Sequence, residues 1–346
     1  MKLTKTDIRN LTKEQLIEAI SQMGEKPFRA KQIYEWLWVK SARTFEEMTN
    51  LSKALRDKLE ESFVINSIQL HNAQYSNDGT IKTVFKLHDD NIIEGVLIPT
   101  DERATACVSS QVGCSLSCKF CATGYMKRMR NLDPAEIYDQ VVLINEQGLK
   151  HLNRPLTNIV FMGMGEPLLN YKNVMEAINK ITSPEGLNMS PKRITVSTAG
   201  IAKMIKKLAD DQVKFNLALS LHAANDEKRN EIMPINEQNN IPVLVEALNY
   251  FYEKTKGKIT FEYILLAGVN DSLQDAKELL ELCKRVPAKV NIIEYNPIEQ
   301  ADFDKTDDSE RELFIHFLEK HKVTAVVRRS RGKDIDAACG QLANKF

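Results

Sequence analysis

Four of the chain's six cysteines lie within "CVSSQVGCSLSCKFC": Cys107, Cys114, Cys118 and Cys121. Cys114-x3-Cys118-x2-Cys121 is a tight triplet. A structural zinc wants four close ligands, usually a Cys-x2-Cys pair with a distant partner. A cubane iron–sulfur cluster held by three thiolates leaves one iron open. That iron can chelate an amino-carboxylate ligand and drive one-electron cleavage of a bound sulfonium. Cys107 stands outside the triplet, and Cys339, in "DIDAACGQL", lies far downstream. Two thiols converging on one cavity suit covalent chemistry followed by disulfide release. Cys283, in "ELLELCKRV", reads as a small buried hydrophobe.

Other polar groups with chemical potential end apolar runs. Gly163 to Pro167 ("GMGEP") offers glycines for close backbone approach and Glu166 as an acceptor for an amino group. Ser197 ends "RITVS", Ser220-Leu221-His222 ends "NLALSLH", and Asn296, before Pro297, follows "VNIIEY". Each has an ordinary structural reading too: a Gly-rich turn, a satisfied histidine, an Asn-Pro turn.

These groups need a scaffold. From about residue 103, strand-like runs ("ATACVSS", "TNIVFMG", "RITVSTA", "KFNLALSLH", "ITFEYILL", "KVNIIEY", "TAVVRR") alternate with helical ones such as "DPAEIYDQVVLINEQG" and "DSLQDAKELLELCKRV". Such alternation predicts a parallel α/β sheet with right-handed crossovers, closing as a barrel or partial barrel whose chemistry sits at the C-terminal strand ends. Residues 1–63 read as a helical module, with Leu16, Ile17, Ile20 and Met23 on one face, Thr12 as N-cap and Gly24 as stop. Residues 64–100 read as a β linker with a hairpin turn at Asn77-Asp78-Gly79. The third segment is 101–346.

The chain has 346 residues, 43% of them hydrophobic, enough for a sizeable core. Basic and acidic residues balance at 47 each, so only local clusters speak of partners. Residues 320–333 hold six Lys/Arg and no acid, and "KRMR" (127–130) follows the cysteine loop. Both runs suit phosphate at the barrel mouth. No apolar run approaches the ~20 residues of a membrane span, and the polar N-terminus lacks a signal-peptide core, so a reducing cytoplasmic location is expected.

Taken together, these motifs resemble the radical S-adenosylmethionine (radical SAM) RNA adenosine methyltransferases of the RlmN type. The residues that carry the resemblance are "DERATACVSSQVGCSLSCKFCATG", "FMGMGEPLLN", "ITVSTAG", "LSLHAAND", "MPIN", "EYNP" and "RGKDIDAACGQL". The resemblance implies a partial (β/α)6-type radical SAM barrel, with 1–63 as an RNA-binding accessory domain. It implies a [4Fe-4S] cluster on Cys114, Cys118 and Cys121, and SAM contacts from Gly165, Glu166, Ser197, Ser220, Leu221, His222 and Asn296. Two SAM molecules are used per turnover, and an external electron donor is needed.

The substrate implied is an adenosine of large-subunit ribosomal RNA, with tRNA as a second substrate, and the enzyme is expected to be a monomer. C2 of adenine is electron-poor, so direct methyl transfer has no nucleophile. The family's route puts a methyl on Cys339, converts it to a carbon radical that adds to C2, removes the C2 proton with a base matching Glu94, and releases the product when Cys107 attacks Cys339. Two other readings stay open. A C8-methylating relative of the Cfr type shares the cysteines; Pro167 and the second arginine–glycine pair favour C2. A non-catalytic RNA-binding protein with structural zinc would be colourless.

Overall fold

The computed structural model describes residues 5–344. Ten strands form one sheet: β1 Gln69–Tyr75, β2 Ile81–Lys86, β3 Ile92–Pro99, β4 Ala104–Cys107, β5 Asn158–Phe161, β6 Ile194–Thr198, β7 Asn216–Ser220, β8 Ile259–Leu265, β9 Ala288–Glu294 and β10 Ala325–Arg328. They follow one another in chain order across the sheet. Strands β4 to β10 are parallel, joined by helical crossovers. Six strand–helix units and a seventh strand make a partial barrel of the expected kind.

Helix boundaries follow local chemistry. Helix α1 (Lys13–Gln22) opens on a capping box between Thr12 and Gln15. Its buried stripe is Leu16 and Ile20, whereas Ile17, expected on that face, is 43% exposed. Helices α2 (Phe28–Trp38) and α3 (Lys53–Ser62) complete the N-terminal module. The first crossover helix, α4 (Pro134–Leu152), has Asp133 and Glu136 as its capping box and Pro134 in its first turn.

The segment read as a linker is part of the main sheet. Strands β1, β2 and β3 pair antiparallel, and β3 pairs antiparallel with β4, so they extend the parallel sheet past its first strand. The expected turn at 77–79 joins β1 to β2.

The N-terminal module is pinned to α4 by a buried ion pair. Arg9 Nη1 donates to both Asp139 oxygens at 2.9 Å, and Asp139 also accepts from Ile68 N–H. Trp38 meets Tyr138 edge-on at 5.1 Å. Asp139→Ala leaves the Arg9 charge buried beside Asp7 alone, and is expected to cost about 3–5 kcal/mol. Urea unfolding checks this; a loss under ~1 kcal/mol contradicts it.

Candidate functional site

The C-terminal ends of the parallel strands enclose a cavity of about 900 Å³, counting its open mouth. Cys114, Cys118 and Cys121 line it with Gly165, Glu166, Ser197, Ser220 and His222. The three cysteines reach it from one loop after β4, packed on an apolar cluster that includes Leu116, Phe120, Ile264 and Tyr295. Gly124 closes that loop: a Cβ there would sit 2.7 Å from the Cys118 carbonyl oxygen.

The glycines of "GMGEP" line the cavity and also serve the backbone packing behind it. Gly165 has φ +95°, and a Cβ on it would lie 2.5 Å from Gln111 Cβ; one on Gly163 would lie 2.7 Å from Ser109 Oγ. They let the 163–167 turn pack against 108–111, which carries the cysteine loop. Glu166 is then fixed: its N–H donates to Gln111 Oε1, Oε1 accepts from Leu168 N–H at 2.9 Å and Oε2 from Ala199 N–H at 2.7 Å. Burial pushes its carboxyl upward, and hydrogen bonds from Ala199, Leu168 and Thr198 oppose this, with no cation among them. A buried carboxylate lacking a cation in a cavity fits an ammonium ligand.

Ser197 Oγ and Ser220 Oγ lie 3.3 Å apart. His222 sits in the left-handed region (φ 59°), its ring 4.6 Å from that of Phe120. Its Nδ1 accepts from Ile264 N–H at 3.0 Å, so in the neutral ring Nε2 carries the proton. Burial, then the Arg229 charge, pushes its pKa down to about 3, so it is neutral at physiological pH.

The structure separates two other predicted residues from the cavity wall. The Leu221 side chain belongs to the hydrophobic core, and its carbonyl accepts from Arg229 Nε. Asn296 is buried, with Nδ2 donating to the Glu294 and Cys339 carbonyls at 3.3 Å.

The two outlying cysteines share a cavity. Cys107, at the end of β4, and Cys339 line a second cavity of about 580 Å³, and Cys339 also lines the first. Cys339 thus stands in the wall between the two. Its segment is held rather than free to swing. Ala122 N–H donates to the Gly340 carbonyl at 2.7 Å, Thr123 Oγ1 to Leu342 O at 2.6 Å, and Gly332 N–H to Asp78 at 3.0 Å. All six cysteines are free thiols, so no Cys107–Cys339 disulfide is formed here.

Glu94 is fully buried and lines neither cavity; it binds the C-terminal segment through Ala343 and Asn344 N–H. It shares a strand face with Val96 and Ile98, which do line the second cavity.

One residue of the site was missed in the sequence, and another was read only as part of a basic run. Glu262, mid-β8, is buried in the first cavity's wall, with Oε1 accepting from Asn291 at 2.9 Å and Oε2 3.6 Å from Arg328 Nη1. An acid inside the apolar run "ITFEYILL" was the available signal. Arg328 lines both cavities and donates to Met162 Sδ at 3.2 Å. Burial opposes its charge, but the fields of Cys339, Glu262 and Cys107 prevail and raise its pKa. The basic runs thus divide. Arg328 points inward, and Arg130 is tied to Glu136 and Asp89. Lys127, Arg128, Arg329 and Arg331 are exposed.

The donor set fits an iron–sulfur cluster. Burial pushes the Cys114 thiol up to about 11 and holds Cys118 and Cys121 above their ordinary value; Cys121 adds to the rise at Cys114, Cys121 and Cys114 to that at Cys118, and Cys339 to that at Cys121. Clustered thiols that resist ionisation become stable thiolates when cationic metal reverses the local field.

Comparisons with known proteins agree with this arrangement. Residues 6–65 match the Ribosomal RNA large subunit methyltransferase N-terminal domain, and residues 108–283 match the Radical SAM superfamily. A probable dual-specificity RNA methyltransferase RlmN from Cytophaga hutchinsonii is 62% identical over 99% of this chain and 94% of its own. A protein of the same description from Flavobacterium psychrophilum is 58% identical over 100% and 99%. The crystal structure of a radical SAM methyltransferase from Sphaerobacter thermophilus superimposes with a TM-score of 0.93 at 39% identity, covering 98% of this chain and 100% of its own. A three-cysteine loop at the mouth of a partial barrel, with matching relatives along nearly the whole chain, places this protein in the RlmN family of radical SAM RNA methyltransferases.

Proposed function

We propose that this protein methylates C2 of an adenosine in large-subunit ribosomal RNA and in tRNA. The observation that carries the reading is the position of Cys339, in the wall shared by the three-cysteine cavity and the cavity that holds Cys107. The relatives' dual-specificity description supports two RNA substrates.

Cys114, Cys118 and Cys121 would hold a [4Fe-4S] cluster, and Glu166, Ser197, Ser220 and His222 would surround SAM, with Gly165 shaping the turn. When bound and reduced by an external donor, the cluster and SAM supply a 5′-deoxyadenosyl radical, and a further SAM supplies the methyl group. Cys339 Sγ carries that methyl; one methyl hydrogen would pass to the deoxyadenosyl radical, the remaining sulfur-bound CH2 radical bonds to C2, and the adduct's odd electron would return to the cluster. Neutral His222 keeps a second cation away from the bound sulfonium. Asn296 holds the Cys339 main chain. Glu94 takes the C2 proton. Cys107 Sγ attacks Cys339 Sγ and breaks its bond to the bridging CH2, which takes up a proton to become the methyl on C2, and a disulfide is left for later reduction. Burial pushes the Cys107 thiol up to about 12, with Cys339 adding and Arg328 opposing. Cys107 is thereby kept protonated until the Arg328 side of the cavity can stabilise its thiolate.

The exposed Lys127, Arg128, Arg329 and Arg331 suit the phosphates of an RNA whose target base leaves its stack. The test is anaerobic reconstitution with SAM, reductant and an RNA fragment, followed by nucleoside mass spectrometry. The expected product is 2-methyladenosine; 8-methyladenosine would overturn the position. In the same assay Cys107→Ala should accumulate a covalent protein–RNA adduct, and full turnover by that variant contradicts its resolving role.

A further inference from the structure

One buried cation has no place in the chemistry above. The Lys82 side chain, on β2, is 2% exposed, and its ion-pair partner is Glu94, with Nζ 3.6 Å from Oε1. In the β2–β3 register Lys82 lies opposite Val96 and Glu94 opposite Val84, so Lys82, Glu94 and Val96 share a sheet face. Cys107 is the partner of Val96 on β4 and lies on that face too. The other Glu94 oxygen, Oε2, accepts from Ala343 N–H at 2.9 Å and Asn344 N–H at 3.1 Å. Asn344 Nδ2 adds a bond to the Ile92 carbonyl at 3.0 Å. A continuous chain of charge and hydrogen bonding therefore runs from Lys82 through Glu94 to the segment that bears Cys339.

An ionised carboxylate accepts N–H bonds about twice as strongly as a neutral group. A buried glutamate stays ionised only when a cation or donors compensate for its lost hydration. Lys82 supplies the cation and the 343–344 amides supply the donors. Further polar atoms beside the pair, Gln74 Oε1 and Asn344 Oδ1, are buried without a hydrogen-bond partner, and Gln74 lies opposite Lys82 on β1. An ammonium has three donors, so this is polar ground suited to ordered water.

We infer that Lys82 is a positioning residue: through Glu94 it latches residues 343–344 to the sheet, and so sets where Cys339 stands between the two cavities. The latch rests on the geometry alone. Its consequence in turnover rests on the proposed roles of Glu94 and Cys339. Oε2 is engaged by the segment, so Oε1 is the oxygen left to take the C2 proton. Once it does, the carboxyl loses its charge and grips the two amides less strongly. The segment is then loosened when Cys107 must reach Cys339.

Hydrogen–deuterium exchange of the anaerobically reconstituted holoenzyme, without RNA, tests the latch. Lys82→Met and Glu94→Gln should raise exchange across 337–344 at least about tenfold, the equivalent of ~1.4 kcal/mol, with β8 unchanged. Lys82→Arg, which keeps the charge, should stay within about threefold of wild type. A chain ending at Leu342 removes both amides and leaves the sheet whole. Alkylation of its Cys339 by iodoacetamide should match that of Lys82→Met, and combining the two changes should add nothing, because they cut one link. Unchanged exchange in Lys82→Met, an arginine variant as loose as the methionine one, or additive effects would overturn the latch. If the latch is present but Cys339→Ala still methylates RNA, the methyl-carrier reading fails and the latch stands.

Discussion

Cys339→Ala is expected to abolish RNA methylation, to below about a thousandth of the wild-type rate, a barrier increase of at least ~4 kcal/mol. SAM cleavage and cluster colour persist. The size of the effect follows from the lack of a substitute. On the proposed C2 chemistry the target carbon cannot attack a sulfonium, so the methyl would pass through a protein nucleophile placed between the SAM cavity and the second cavity. Among the described residues, Cys339 is the cysteine that lines both. Cys107 cannot replace it, because it lines only the second cavity and its thiol is pushed up to about 12 by burial. The assay follows label from methyl-labelled SAM into RNA, with 5′-deoxyadenosine measured in parallel. Label transfer above a few per cent of wild type would remove Cys339 from the pathway.

The second large effect is loss of the cluster itself. Cys118→Ala is expected to yield colourless protein, with iron reduced to background and no SAM cleavage. Burial holds the Cys118 thiol well above its ordinary value, with Cys121 and Cys114 adding to the rise. Only bound metal makes three such thiolates affordable together, and a cluster left with two ligands and two open irons is lost to solvent. Cys107→Ala and Cys339→Ala should both keep the brown colour, since neither belongs to the triplet. Iron analysis and the visible absorption of anaerobically reconstituted variants check all three. A coloured, SAM-cleaving Cys118→Ala protein would mean that the ligands have been wrongly divided.

Much of this site could be read locally. Cys114, Cys118 and Cys121 fall within eight residues, so their spacing already brings them to one cavity. Strand ends at Ser197, Ser220 and His222 were visible because apolar runs stop there. The same local signals left details incomplete. Gly165 looked like room for a ligand; it lines the first cavity, and its missing Cβ also makes room for Gln111. Arg130 and Arg328 looked like phosphate contacts, but each is bound to acids of its own fold.

The amino-acid sequence by itself determined the alternation of strands and helices, the clustering of Cys114, Cys118 and Cys121, and the family. These rest on side-chain periodicity and short-range spacing, which each segment carries alone. The tertiary structure decided that residues 69–99 continue the barrel sheet, that Cys107 and Cys339 share a cavity, and that Glu94 grips the chain's end 250 residues away. A buried carboxylate has meaning only through its partners. Lys82 and the 343–344 amides come to Glu94 when the sheet is assembled and the last segment is laid across it, which no local pattern records.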